Sequence, residues 1–394
     1  MKRRHFVRDI ALASLCFSGS LLQQKQVKSV QIKEHHPWIL LYWMPYDNDL
    51  SDYGQSILDM LTLGTQNRST LVLVGADFWR SPHLFRYKIS NGTIKEIPVI
   101  QESNSSSIQS FNNYLDWAWK NFSADHWSVM IVGHGGKINQ ISPDDHVIPN
   151  QSSWMQINEI AQTLKDFTQK IAKKLDLLFF QNCNKATLEV IYEVKDSAQY
   201  TLASQLLLGA PNYYYRDFLT ALENPYINAK EAGLAIIKTE SKQMYNTLTL
   251  IDNSFLQDLP KYIDNVVADL TNQSLSFTEA EKIVTYKYSE ENHCDLLSFF
   301  DAFVDNTKMT GQASILLRDF VEQKIVVEHD QNGLMMFDSL PHRLKNLDYV
   351  TNYLNQFCGI GLFFASTLEE SQKYRDFKLY QDTKLLTLYE VLLT

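Results

Sequence analysis

Long apolar runs are missing from the body of this 394-residue chain, and without a stretch of about twenty such residues no membrane-spanning helix is expected there. A basic excess is missing as well. Lys and Arg number 36 against 45 Asp and Glu, a net charge of −9, so the electrostatic footprint of a nucleic-acid binder is not expected. Cysteine is scarce: Cys16, Cys183, Cys294 and Cys358, with no C-x-x-C spacing, argue against a disulfide framework and leave Cys294 with Cys358 as the one open pairing. Repeats of fixed period, low-complexity tracts and a G-x-x-x-x-G-K-[ST] phosphate loop are also absent, which removes solenoids and P-loop chemistry. What remains is ordinary globular composition, 45% hydrophobic and 21% charged, on a length that suits two domains or one with a large appendage.

The start of the chain differs from the rest. MKRRHFVRD is basic, IALASLCFSGSLL is apolar, and Ser18, Gly19 and Ser20 follow, an order that fits an export signal over residues 1–24. Arg3-Arg4-His5-Phe6-Val7 resembles the twin-arginine form of such a signal. Residues 1–20 carry Lys2, Arg3, Arg4 and Arg8 against Asp9, so their removal takes the net charge from −9 to −12. The expected product is an acidic exported protein, periplasmic, extracellular or on the cell surface, with no stable membrane span.

From residue 36 to about 220, strand-like and helix-like stretches alternate. Near-continuous apolar runs at 38–44, 70–76, 127–132 and 175–180 read as strands buried on both faces. Helical periodicity fills the intervals at 47–63, 112–122 and 156–174, and Ser90-Asn91-Gly92-Thr93 reads as a hairpin turn. That alternation predicts an α/β domain over 36–220 with a mostly parallel sheet covered by helices on both faces. Residues 221–394 read as a mainly helical region packed on or completing it, with one further apolar run at 359–364. The segment 135–154 reads as a long polar loop containing Pro143 and Pro149.

Two of the buried runs end unusually, one in Gly133-His134-Gly135-Gly136 and one in Gln181-Asn182-Cys183. In an open α/β sheet the strand C-terminal ends are where sites form. A free thiol, with a pKa of about 8.5, is only a few per cent thiolate at neutral pH, and a nearby imidazole favours the nucleophilic form. The same imidazole can then protonate a leaving amine. Glycines beside it let a backbone N–H approach a carbonyl oxygen without a Cβ in the way. Cys183 follows His134 by 49 residues, close to the spacing of about 50 noted for caspase-type proteases.

At this point the chain resembles the clostripain family of cysteine peptidases, relatives of caspases, gingipains and legumains. The residues that carry the resemblance are Trp38 to Met44 with Tyr46-Asp47-Asn48-Asp49-Leu50, Ala124-Asp125-His126-Trp127 through Gly136, and Cys183 followed by Ala186-Thr187-Leu188-Glu189-Val190. Tyr200-Thr-Leu-Ala203-Ser204 and Thr247 to Asp252 are similar to two further family stretches. The resemblance implies a caspase-like three-layer α/β/α sandwich and cysteine endopeptidase activity on protein or peptide substrates. It implies His134 as general acid/base, Cys183 as nucleophile, an oxyanion hole from the N–H groups of Gly135 and Cys183, and a specificity pocket near Gln181, Ser204, Tyr214 and Asp217. No cofactor is required by it, although clostripain is associated with calcium. It further implies maturation by a cut between the catalytic residues, and Lys137 is the sole Lys or Arg in the 135–154 segment.

Two departures alter these expectations. The family usually has an acid two residues before the nucleophile, where this chain has Gln181, and Lys137 stands where a third glycine often follows. A neutral amide cannot offset a buried Arg or Lys, so the residue preference is open, with Arg216 and Asp217 both in the region concerned. The alternatives are a catalytically silent peptide-binding protein of the same fold, or an acyl transferase or ligase using the same dyad. Other candidates read as structural: His35-His36 as a solvated pair, His293-Cys294-Asp295 as the start of a core helix, and Asp144-Asp145-His146 as a solvated loop that could alternatively hold calcium.

Overall fold

The computed structural model describes residues 33–271, 283–304, 311–330 and 357–393. The reading of residues 1–24 as an export signal, and Cys16 with it, lies outside the described residues.

The first apolar run becomes β1 (Glu34–Tyr46), and it is the seed of a nine-stranded sheet. Alternate side chains of β1 go to opposite faces: Ile39, Leu41 and Trp43 to one core, Leu40, Tyr42 and Met44 to the other. Both faces are apolar because both are covered, which is why the sequence shows a run and no alternation. The following strands are β2 (Leu71–Phe78), β3 (Leu84–Ser90), β4 (Thr93–Val99), β5 (Phe122–Val132), β6 (Gln140–Ile148), β7 (Gln151–Gln156), β8 (Leu175–Gln181), β9 (Ala198–Ser204) and β10 (Leu248–Asp252). After them come β11 (Thr285–Tyr288), β12 (Glu291–Asp295), β13 (Val326–His329) and β14 (Gly361–Phe363).

The main sheet has the order β13-β10-β9-β8-β5-β1-β2-β3-β4. Its five central strands, β9-β8-β5-β1-β2, run parallel, and β3, β4, β10 and β13 join antiparallel at the edges. Helices Ile108–Asn121, Ile157–Ile171 and Leu188–Val194 cover one face, while Ser51–Gly64, Tyr215–Ala221 and Ala229–Thr239 cover the other. This is the expected α/β/α layering.

Two stretches differ from expectation. The segment 135–154 is mostly a β-hairpin, β6 with β7, whose exposed tip is residues 147–151. Its polarity follows from pairing outside the main sheet, where only Ile141, Met155 and a few neighbours reach the core. The chain beyond 220 is mainly helical as expected, and the departure lies in its strands: β10 and β13 complete one edge of the main sheet, and β11-β12-β14 form a small second sheet. That second sheet lies against the nucleophile turn: Thr187 bridges Gly361, and Asn184 Nδ2 is 3.2 Å from His293 Nε2. The described residues from Glu34 onward belong to one structural unit.

Candidate active site

Strands β5 and β8 are parallel neighbours in register, Val132 opposite Gln181, so the segments that follow them leave the sheet at the same edge. Gly133 makes the first turn with φ +137°, a conformation open to glycine, and its N–H donates to Gln181 O at 3.2 Å. Asn182 ties the two exits together, its Nδ2 donating to Gly133 O (2.8 Å) and His134 O (3.3 Å). Gly135 is required by close approach: a Cβ there would stand 2.3 Å from Cys183 O.

His134 and Cys183 line one cleft of about 260 Å³, together with Asp49, Gln181, Asn212 and Tyr245 among others. His134 Nε2 is 2.6 Å from Asp49 Oδ1, and both side chains are exposed to solvent. The Cys183 sulfur, partly exposed, accepts from Leu208 N–H at 3.3 Å and lies 3.5 Å from Leu208 O. Burial pushes this thiol up from its ordinary value, and the Leu208 N–H, the Tyr288 hydroxyl and the Lys185 charge oppose that. The described hydrogen bonds thus give each of the pair its own partner. Neither the Gly135 nor the Cys183 N–H donates to another residue among the described hydrogen bonds, which leaves both for an oxyanion.

Asp49 was missed by the residue-level reading, although the signal was present. Asp47-Asn48-Asp49 follows the end of β1, which adjoins β5, so this turn leaves the sheet at the edge where His134 does, and the packing brings Asp49 to the ring and turns Asp47 away. Asn48 fixes the turn, donating from Nδ2 to Pro45 O (2.9 Å) and accepting from Leu50 N (3.0 Å).

Of the expected pocket residues, only Gln181 lines the cleft. Its amide is fully engaged, donating to Asn212 Oδ1 (2.6 Å) and Tyr215 Oη (2.8 Å) and accepting from Tyr214 Oη (2.7 Å). Tyr214 therefore stands behind Gln181, buried, and not at the wall. Ser204 is buried against Thr247 Oγ1 (3.0 Å), where it braces the 204–208 loop. Asp217 and Arg216 are exposed on the helix Tyr215–Ala221 and take no part in the cleft. No lysine or arginine is among the described residues lining it.

The remaining candidates are distributed as follows. His36 pairs with Glu34 (3.0 Å) at the opposite end of β1. His293 is buried, stacked on Tyr286, and pushed down to about 3 by burial and by the Lys185 and Lys373 charges, so it stays neutral. Asp295 caps the helix Leu296–Val304 through Leu297 N (3.1 Å), and Cys294 and Cys358 are free, buried thiols. The Asp144-Asp145-His146 group is split. Asp145 takes the Ser152 hydroxyl (2.6 Å) and His146 Nδ1 sits 2.6 Å from Asp47 Oδ1. Asp144 instead meets Asp47 and Asp77, each buried and each offering an oxygen within 4.8 Å of the others. Asp77 Oδ2 has no hydrogen-bond partner, and burial with the two neighbouring carboxylates pushes Asp77 up to about 8. Three convergent buried carboxylates with a spare oxygen suit a hard divalent cation such as calcium.

The sequence profile of the clostripain family matches residues 42–381. No curated protein matches the chain by sequence. Among solved structures, the chain is similar to a secreted cysteine protease of Bacteroides thetaiotaomicron in complex with an irreversible peptide inhibitor, at 16% identity and TM-score 0.64, covering 88% of this chain and 99% of that one. It is also similar to an inactive zymogen protease of Parabacteroides distasonis, at 17% identity and TM-score 0.64, covering 89% and 99%. At such identities the likeness speaks for the fold.

Proposed function

The chain belongs to the clostripain family and is a cysteine endopeptidase, and from that premise we propose that it cuts peptide bonds with Cys183 as nucleophile and His134 as general acid/base. The observation that carries this reading is the delivery of both groups into one cleft by adjacent parallel strands. In the proposed cycle the thiol gives its proton to His134, and the thiolate attacks the substrate carbonyl carbon. The oxygen's new charge is met by the Gly135 and Cys183 N–H groups. The imidazolium then protonates the leaving amine, and His134 deprotonates the water that hydrolyses the thioester. Asp49 orients the ring through an exposed contact.

The residue before the cleaved bond is proposed to be uncharged. An acidic side chain would meet no lysine or arginine in the lining, and a basic one would meet a saturated Gln181 amide and, in Asp49, a carboxylate already paired with His134. A charge left unpaired there would cost several kcal/mol. Maturation by a cut at Lys137 is disfavoured, since its carbonyl accepts from Lys185 Nζ (2.8 Å) and the next residue, Ile138, is fully buried. A cut at the exposed tip 147–151 fits the hairpin better. The start of the chain supports export, and no described helix is long and apolar enough to cross a membrane.

The deciding experiment incubates residues 25–394, beside Cys183→Ala, with a mixed peptide library and reads each cut by mass. Cuts made only by the parent, after uncharged residues, are the expected result. Cuts made equally by both proteins would remove Cys183 from the mechanism, and none from either would favour the silent peptide-binding alternative. Products joined to an added amine would indicate a ligase.

Calcium, if the protein takes it, would be held by Asp47, Asp77 and Asp144, where it would neutralise three buried acids beside the Asp49 turn. Titrating calcium chloride into Cys183→Ala should raise its melting temperature, and Asp77→Asn should abolish the rise. An unchanged melting temperature in the first protein would sink this assignment.

A further inference from the structure

Lys185 has no part in the cycle above, yet its whole side chain is buried, at 0% exposure. An ammonium in such a place is costly unless its hydrogen bonds and charge are answered. Asn184, with φ +54°, reverses the chain after Cys183, and Lys185 runs back under the turn that follows His134. Its Nζ donates to the carbonyls of Lys137 (2.8 Å) and Gly136 (3.3 Å). Its stem lies directly beneath Gly135, where an added Cβ would come within 3.0 Å of Lys185 Cε. From the other side, the β11–β12 hairpin grips the same turn. Tyr288 Oη donates to Gly135 O (2.6 Å), Ile138 N donates to Glu291 Oε2 (2.8 Å), and Lys137 pairs with Glu290 (3.6 Å).

The charges around the lysine are few. Glu291 on β12, 4% exposed, and Cys183 on the lysine's own turn favour its ammonium form, against burial that pushes it down to about 7. His293, also on β12, stays neutral, Tyr288 on β11 carries an un-ionised hydroxyl, and Lys373 is engaged with Glu291. The interaction between lysine and thiol acts both ways, so a charge on either favours the charged form of the other.

We propose that Lys185 is a positioning residue for the hydrolysis: its buried side chain pins the turn that presents His134 and the Gly135 N–H. This rests on Cys183 as nucleophile, and the two ideas fail separately. A Cys183→Ala protein that still cleaves overturns that premise, whereas the following test addresses Lys185 alone.

The test is kcat and KM for peptide hydrolysis, beside the urea midpoint, in the full chain and in Lys185→Met and Lys185→Gln. Methionine fills the space without a donor, and glutamine keeps a donor for the two carbonyls. In Lys185→Met kcat should fall roughly tenfold with KM little changed, and Lys185→Gln should regain most of that loss. A folded Lys185→Met with the parent's kcat, or a Lys185→Gln no better than Lys185→Met, would overturn the proposal. So would the collapse of both variants, which would assign Lys185 to stability alone.

Discussion

Strand β5 carries one histidine within it and a second just beyond its end, each paired with a carboxylate, and their surroundings differ. Within it His126 Nδ1 is 2.9 Å from Asp176 Oδ1, its ring stacked on Trp38 at 4.3 Å. Asp176 is buried and also takes Trp127 N (3.0 Å), Gln199 Nε2 (3.3 Å) and Lys173 Nζ (3.2 Å). There the acid is buried and its oxygens are occupied, although the ring is itself partly exposed. Beyond the far end His134 meets Asp49 at 2.6 Å, but the acid is exposed, the ring borders a cleft, and a thiol lies in the same cleft. A histidine–carboxylate pair is therefore not a catalytic signal by itself. What separates the two is an open volume and a thiol just after the next strand.

The comparison breaks most visibly if the two histidines are removed in turn. His134→Ala should lose on the order of 10⁴-fold or more in kcat/KM, as loss of an acid/base partner that works as a unit with its nucleophile does. His126→Ala should keep activity within about twofold and lose roughly 1–2 kcal/mol of stability, through the stacked ring and the exposed charge partner of Asp176. Peptide hydrolysis and urea denaturation check both, and comparable activity losses would erase the distinction.

The acids sharpen it on a smaller scale. Asp176→Asn should cost about 2–3 kcal/mol of stability, since a buried acceptor of several donors is altered. Asp49→Asn should leave stability nearly unchanged. An exposed pair contributes up to about 1 kcal/mol, which corresponds to roughly fivefold in rate. A loss above a hundredfold would show that Asp49 does more than orient the ring.

The smallest effect is on the pH dependence of stability. Glu189, five residues before the end of its helix at Val194, joins that helix to β14 by accepting from Phe363 N (3.0 Å) and Tyr380 Oη (2.6 Å). Burial pushes its carboxyl up to about 7 from 4.5. The folded protein thus binds this proton more tightly than the unfolded chain does. Its stabilisation is complete below about pH 4.5 and is lost as pH rises through about 7. Urea midpoints measured from pH 5 to pH 7.5 should show a downward component that Glu189→Gln removes. An unaltered slope in that variant would locate the titration elsewhere.

The central sheet was legible because burial on both faces writes itself as unbroken apolar runs, as in 38–44 and 175–180. The hairpin at Asn91-Gly92 was legible for the same kind of local reason, a turn with φ values of +49° and +70°. The β6–β7 hairpin and β10 were not. One pairs away from the main sheet and lacks a buried run, and the other is five residues long and borrows its ladder from β9 and β13. That His134 and Cys183 share a cleft could be anticipated because each follows the end of a buried strand by two residues. Ser204, Tyr214 and Asp217 were misplaced because facing a cleft depends on how loops pack over the sheet edge, which local pattern does not encode.

The sequence alone determined the central α/β alternation, the two residues that follow the ends of β5 and β8, and the family. Those are local properties, set by side-chain period and by what a chain can do at a strand end. Only the tertiary structure decided that Asp49 meets His134, that three aspartates from separate segments converge, and that Lys185 is buried under Gly135. Each of these depends on distances across 30 to 97 positions of chain, and such contacts are fixed by sheet order and loop packing, not by the neighbours of any one residue.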